Sequence, residues 1–173
     1  MLNLNVLIDE QTISKRLDEI ASQIEKDYEN EDLICVCILR GSFPFTWELG
    51  KRLKKVNVTF EFMQVSSYGD STESSGKITV KKDISCDISG KNILIIEDII
   101  DTGITLHYLK EYLENKSPNS VKFVTLLDKP SRRIINTNVD YIGFTIEDKF
   151  VVGFGLDYEQ KYRNLPYIAY IEN

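Results

Sequence analysis

The stretch Glu97-Asp98-Ile99-Ile100-Asp101-Thr102-Gly103-Ile104-Thr105 concentrates the groups of this chain that can do chemistry. Carboxylates, hydroxyls and a glycine fall within a few residues of one another. Four apolar residues, Ile93 to Ile96, run into the acids as a short buried strand, and a helical pattern starts just after them. A strand that feeds a helix through a turn leaves backbone N–H groups at the helix N-terminus, where a phosphate binds. Gly103 lets the backbone come close to such a ligand, and Thr102 and Thr105 add hydroxyl donors. Carboxylates beside a phosphate cradle repel the ligand unless they face a sugar diol or a bridging divalent cation. The ligand implied is a ribose, a phosphate and a metal together.

Further segments carry polar groups at the ends of apolar runs. Arg40-Gly41-Ser42 follows the run Leu33–Leu39. In an open α/β sheet, ligands sit outside the carboxyl ends of the strands, so Arg40 and the adjoining amides are placed to meet an anion. Read alone, the same residues make an ordinary turn with a solvated arginine. Ser66 to Gly76 is small, polar and bounded by glycine, a long loop of the kind that forms lids or stays disordered. Lys129 ends the run Leu126-Leu127-Asp128, and Phe150 sits beside Val151 and Val152. Gly153-Phe154-Gly155 is no dinucleotide fingerprint, because Tyr158 stands at the third glycine position and no strand–helix context surrounds it.

The elements that must position these groups follow from periodicity. Ile13, Leu17, Ile20, Ala21 and Ile24 recur at helical spacing and predict a helix over residues 11–28. Leu33–Leu39 reads as a strand covered on both faces, and Phe43–Leu53 as a helix. Val56–Val65, Asn92–Ile96, Val121–Leu127 and Tyr141–Ile146 read as strands, with Leu106, Leu109 and Leu113 on one face of the intervening helix. Strands alternating with helices predict an α/β fold, a mainly parallel twisted sheet flanked by helices. One domain over 1–173 is expected, with a core of about 30–140 and a hood of about 141–173 joined by the N-terminal strand.

With 42% hydrophobic residues, the 173-residue chain can bury a core. Its net charge of −6 argues against general affinity for nucleic acid or an anionic membrane. Three cysteines suggest a reducing compartment, and Cys35 and Cys37 read as strand packing. The absence of a signal-like N-terminus and of any long apolar span predicts a cytoplasmic protein. The single His107 reads as a surface or packing residue.

Taken together, and in order from Leu33 to Pro166, these motifs resemble the type I phosphoribosyltransferases, most of all the bacterial hypoxanthine (guanine) enzymes. The resemblance implies transfer of the 5-phosphoribosyl group from phosphoribosyl pyrophosphate to hypoxanthine and guanine, giving IMP or GMP and pyrophosphate. It implies that Glu97 and Asp98 hold the ribose hydroxyls directly or through Mg²⁺. Asp101 to Thr105, Ile104 included through its backbone, bind the 5′-phosphate, with Asp101 beside N7 as the acid/base group. Arg40, Gly41, Ser67, Tyr68 and Arg163 meet pyrophosphate, and the peptide before Arg40 can be cis. Lys129 donates to O6 of the purine, Phe150 stacks on it, and the Val151 backbone reads its edge. Carbonyls near Val151 and Asp157 tolerate hydrogen or an amino group at C2, and Asp157 holds a second Mg²⁺. Because lysine only donates, it favours a 6-oxo acceptor over the amino group of adenine. The carboxylate ligands suit Mg²⁺ rather than zinc. A homo-oligomer, dimer or tetramer, is expected, with the helix bearing Phe43, Phe45 and Trp47 as either interface or core. The alternatives are a sister enzyme acting on xanthine, which needs donors where this segment offers carbonyls, and an RNA-binding regulator, which needs a basic face.

Overall fold

The protein is described by a computed structural model over residues 3–67 and 78–172. Its elements are β1 (Leu4–Ile8), α1 (Glu10–Asp27), β2 (Asp32–Leu39), α2 (Phe43–Gly50), β3 (Asn57–Ser67), β4 (Ile78–Lys82), β5 (Asn92–Ile100), α3 (Ile104–Glu114), β6 (Ser120–Asp128), β7 (Tyr141–Thr145), β8 (Val151–Val152) and β9 (Ile168–Ile171). Six strands form one sheet in the order β4-β3-β2-β5-β6-β7, and three form a second in the order β1-β9-β8. Every pairing of the large sheet is parallel except β3 with β4. The α/β architecture read from the sequence is therefore present.

Strand alternation divides the core. Leu33, Cys35, Leu94 and Ile96 face α1 and α2, joining Ile13, Leu17, Ile20, Ile24, Phe45 and Leu49. Ile34, Val36, Ile93 and Ile95 point the other way, against Leu106, Leu109 and Leu113 of α3. Asp9 caps α1 by accepting from the Thr12 N–H. Cys35 and Cys37 are fully buried. Burial pushes the Cys35 thiol up to about 12, so it packs as an apolar group. His107 lies on the exposed side of α3, 3.4 Å from Glu111.

The structure differs from the sequence reading in several places. α2 stops at Gly50 rather than Leu53, at a residue of low helix propensity. A Cβ on Gly50 would strike the Phe60 ring. In α2, Phe45 is core, whereas Phe43 and Trp47 are more than half exposed. β4 was not foreseen. β7, assigned to the hood from sequence, pairs with β6 in the large sheet, because Val124 to Asp128 offer it a free parallel edge. The larger difference is that β5 runs through the acidic pair to Ile100. It stays in register with β6, Glu97 opposite Thr125 and Ile100 opposite Asp128, so the acids stand on a strand and not on the following loop.

Candidate active site

The chain steps from β2 outward to β3, then returns to place β5 on the other side of β2. This reversal opens a crevice at the carboxyl ends of two adjacent parallel strands, the usual ligand position in such sheets. β6 ends beside β5, so Arg40, the acids of β5, Asp101 and Lys129 all emerge at one end of the sheet.

The Leu39–Arg40 peptide is cis, as the resemblance implied. Gly41 follows it, and its missing Cβ is required: one built there would collide with the Asp98 carboxylate. Gly155, at φ 102°, packs its backbone on the Gly41 carbonyl in the same way. Two glycines thus let the loop after β2, the acid of β5 and the loop after β8 close on one another. Ser42 is buried, and its hydroxyl donates to the Ile38 carbonyl.

Glu97 is buried. Burial, reinforced by the neighbouring Asp98, holds its carboxyl well above the usual carboxylate range. Asp98 accepts from the Ile99 N–H at 2.8 Å. Burial pushes it up to about 6, against the lowering effects of backbone N–H groups and Arg163. An acid pair that resists ionisation because of its burial is one that gains from a cation or from hydroxyl donors.

Gly103 caps α3 at φ 82°. Its carbonyl accepts from the His107 N–H at 3.0 Å, and the Ile104 N–H reaches the Thr102 hydroxyl at 3.4 Å. Thr105 lies in the first helical turn. The Thr102 carbonyl accepts from the N–H groups of Ile134 (2.9 Å) and Ile135 (3.0 Å), which pin the loop from the side of β6. Gly103→Ala places a Cβ against the Ile135 carbonyl and a side chain at positive φ. It is expected to lower the unfolding free energy by about 1–3 kcal/mol and to weaken phosphate binding. Urea unfolding and titration with inorganic phosphate check this.

The segment after β6 carries the next groups. Lys129 is buried, and its ammonium donates to the Lys149 carbonyl at 2.5 Å, 3.7 Å from the Asp148 carboxylate. Arg132 bridges Asp101 at 2.8 Å and Asp148 at 3.4 Å. Arg133 pairs with Asp128, and its Nε donates to the Asp101 carbonyl at 3.2 Å. Phe150 is 56% exposed and meets Tyr158 edge to face with centroids 5.8 Å apart, leaving ring surface for a stacked ligand. Val151 lies on β8, an edge strand with one side of its backbone free of sheet partners.

Beyond it, Arg163 pairs with Asp157 at 2.8 Å and donates to the Gly155 carbonyl at 2.7 Å. The Gln160 side-chain oxygen accepts from Arg163 at 3.1 Å and from Arg40 at 3.5 Å, while the Gln160 backbone N–H donates to Asp157 at 2.9 Å. Arg40 and Arg163 therefore share one carboxamide oxygen, while Asp157 is held by the Arg163 guanidinium and the Gln160 backbone N–H. Ser67 is the last residue of β3, and Tyr68 lies outside the described residues.

Sequence reasoning missed Asp128, Arg132, Arg133 and Gln160. The doubled arginine just after a strand-ending acid was the available signal for the first three. Nothing local marked Gln160, whose partner Arg40 is 120 residues away. Among the described residues no three or more His, Cys, Asp or Glu side chains gather into a metal cage. Glu97, Asp98 and Asp157 offer oxygen only, in ones and twos. That donor set fits Mg²⁺, which takes one or two carboxylates and completes its shell with phosphate oxygens and water.

Comparison with known proteins agrees with this geometry. The family described as phosphoribosyl transferase domain matches residues 6–159. A hypoxanthine-guanine phosphoribosyltransferase of Lactococcus lactis is 49% identical over 96% of this chain and 90% of its own length. One from Bacillus subtilis is 44% identical over 96% and 92%. A crystal structure of a hypoxanthine-guanine phosphoribosyltransferase from Bacillus anthracis, with HEPES in its active site, superposes with a TM-score of 0.94 at 44% identity, covering 99% of this chain and 100% of that one. Sequence relatives and solved structures converge on the same assignment, and the chain belongs to the phosphoribosyl transferase family, in its hypoxanthine-guanine branch.

Proposed function

We propose that the chain joins hypoxanthine or guanine to phosphoribosyl pyrophosphate in purine salvage, forming IMP or GMP and pyrophosphate. The observation that carries this reading is the arrangement after β6. The buried Lys129 ammonium, a donor for a 6-oxo group, shares Asp148 with Arg132, and Arg132 holds the Asp101 carboxylate. A base-selecting donor and an acid/base group thus lie on one connected edge of the pocket.

The bond between anomeric carbon and pyrophosphate breaks as the purine nitrogen N9 bonds to that carbon, through a transition state with positive charge on the ribose. Positioning and electrostatics do most of the work. Glu97 and Asp98 hold the ribose hydroxyls, and their charge suits the cationic ring. The amides of Thr102 to Thr105 cradle the 5′-phosphate at the start of α3. Asp101 takes the purine proton at N7 as N9 attacks. Phe150 stacks on the base, and the open edge of β8 at Val151 meets its Watson–Crick side. Arg40 and Arg163 meet the departing pyrophosphate. The acid pair and Asp157 would hold Mg²⁺, which when bound would supply countercharge for pyrophosphate and polarise the ribose hydroxyls.

A spectrophotometric assay with hypoxanthine, guanine, xanthine and adenine, with and without Mg²⁺, tests the reading. Mg²⁺-dependent IMP and GMP formation is expected, with xanthine and adenine at least about 10²-fold slower. A site built to hydrogen-bond one functional group rejects analogues that leave its buried polar atoms unpaired. Comparable turnover of adenine overturns the role of Lys129, and turnover of xanthine overturns the carbonyl reading of the Val151–Asp157 segment.

A further inference from the structure

Asp101 is gripped at both ends by consecutive arginines, and the two grips differ in kind. Arg132 forms an ion pair with the carboxylate that lacks hydrogen-bond alignment, and its own side chain is half exposed. A base arriving at that carboxylate takes its place. Arg133 holds the main chain. Its side chain is only 15% exposed, unusual for an arginine unless it is committed to a partner. The partner is Asp128, the last residue of β6, whose side chain is 11% exposed. With its counter-ion fixed, the guanidinium turns Nε to the Asp101 carbonyl at 3.2 Å, and its Cδ lies beneath Gly103. One planar fork ties the end of β6 to the residue just after β5.

The rest of the loop has other anchors. Thr102 is held through its carbonyl by the main-chain N–H groups of Ile134 and Ile135. Gly103 to Thr105 are held by the start of α3. The hydrogen bonds that hold the phosphate cradle thus come from main-chain groups, whereas the Asp101 carbonyl is held by the Arg133 side chain.

We propose that Arg133, seated on Asp128, is a positioning residue for the acid/base step. It fixes the Asp101 main chain so that the carboxylate keeps its direction toward N7 when it exchanges Arg132 for the base. This rests on the assignment of Asp101 given above.

The test is steady-state kinetics of Arg133→Lys, Asp128→Asn, Asp101→Asn and the Arg133→Lys/Asp101→Asn double variant, with folding followed by thermal melting. Arg133→Lys keeps a charge opposite Asp128, but a point donor cannot serve a carboxylate and a carbonyl in one fixed fork. A misplacement of about 1 Å costs on the order of 10²-fold in rate, so kcat is expected to fall about 10- to 100-fold. KM for phosphoribosyl pyrophosphate is expected to stay within about threefold, since the cradle keeps its anchors. In the double variant Arg133→Lys is expected to add less than about threefold to the loss from Asp101→Asn, because the two act through one group. Asp128→Asn, which leaves the arginine in place, is expected to show the same split at smaller amplitude and covers the case in which Arg133→Lys does not fold. If Asp101→Asn alone keeps its turnover, the acid/base assignment itself fails. If Asp101→Asn is impaired but Arg133→Lys multiplies that loss independently, or raises KM as much as it lowers kcat, the positioning role is overturned. A folded Asp128→Asn enzyme with unchanged kcat overturns it as well.

Discussion

Asp101→Asn is expected to reduce kcat by about 10²- to 10⁴-fold, the range for one positioned acid or base, with KM for both substrates changed by less than about fivefold. The substitution is isosteric, so the loop has no reason to move. Thr102 stays bonded to Ile134 and Ile135, and the Asp101 carbonyl stays bonded to Arg133. The groups proposed to bind are untouched: Lys129 for the oxo group, Phe150 for the ring face, and Arg40 and Arg163 for pyrophosphate. In the proposed mechanism, what is lost is a group able to accept the N7 proton as the new bond forms at N9, since a carboxamide has no useful basicity. The interaction removed is realised only on the way to the transition state, so kcat and kcat/KM fall together. Equal losses in kcat and in affinity would assign Asp101 to binding, and no loss would remove it from the chemistry. Initial rates with each substrate varied at saturating partner decide between these outcomes.

The parts of this site that were legible in the sequence are those whose position follows from local order. The apolar quartet Ile93–Ile96 had to be a buried strand, and Gly103 and the helical pattern after it had to be a turn and a helix. These fixed the loop that carries Asp101. Less legible was how far the strand runs. Glu97 and Asp98 look like the end of an apolar run, but β6 continues beside them and its hydrogen bonds extend β5 to Ile100. Charged residues at a strand end carry no period that reveals this. Lys129 was legible as a residue after a strand, but not as a buried one. Its burial depends on the Lys149 carbonyl and Asp148, which arrive from the segment before β8. Arg133 was invisible for the same reason: a surface arginine and a buried one read identically until the acid beneath is known to face it.

Charge is distributed against the global sign. The chain as a whole is acidic, yet Arg40, Lys129, Arg132, Arg133 and Arg163 emerge around one crevice, each answered by a nearby oxygen. Arg40 and Arg163 share the neutral Gln160 oxygen. A carboxylate there would compete with pyrophosphate for both cations, whereas a carboxamide orients them and leaves their charge available. The acid pair on β5 is the exception: among the described residues neither Glu97 nor Asp98 has an ion-pair partner, and backbone N–H groups and the field of Arg163 offset the burial of Asp98 only in part.

That exception predicts a stability gain from a loss of function. Asp98→Asn is expected to make the ligand-free protein more stable at neutral pH while abolishing turnover. Burial pushes the Asp98 carboxyl from an ordinary 3.8 up to about 6. The native state therefore binds more protons than the unfolded chain between about pH 4 and pH 6, and stability falls as pH rises through that window. Below it both states are protonated and no penalty exists. Above it the penalty is complete, up to about 3 kcal/mol at 1.36 kcal/mol for each pKa unit. Asparagine removes this titration, keeps an oxygen to accept from the Ile99 N–H, and fits against Gly41 as the aspartate does. Glu97, raised by its own burial and by Asp98, keeps part of the slope in the variant, reduced because its charged neighbour is gone. In urea unfolding without Mg²⁺, the variant is expected to exceed the parent by about 1–3 kcal/mol at pH 7, with the gap closing toward pH 4. A gap independent of pH would trace the effect to packing, and a variant less stable at pH 7 would refute the cost of the buried charge. Adding Mg²⁺ and phosphoribosyl pyrophosphate is expected to reverse the order, because ligand stabilises only the form that binds it. In the proposed mechanism, the cost of the Asp98 charge is offset when cation and substrate bind.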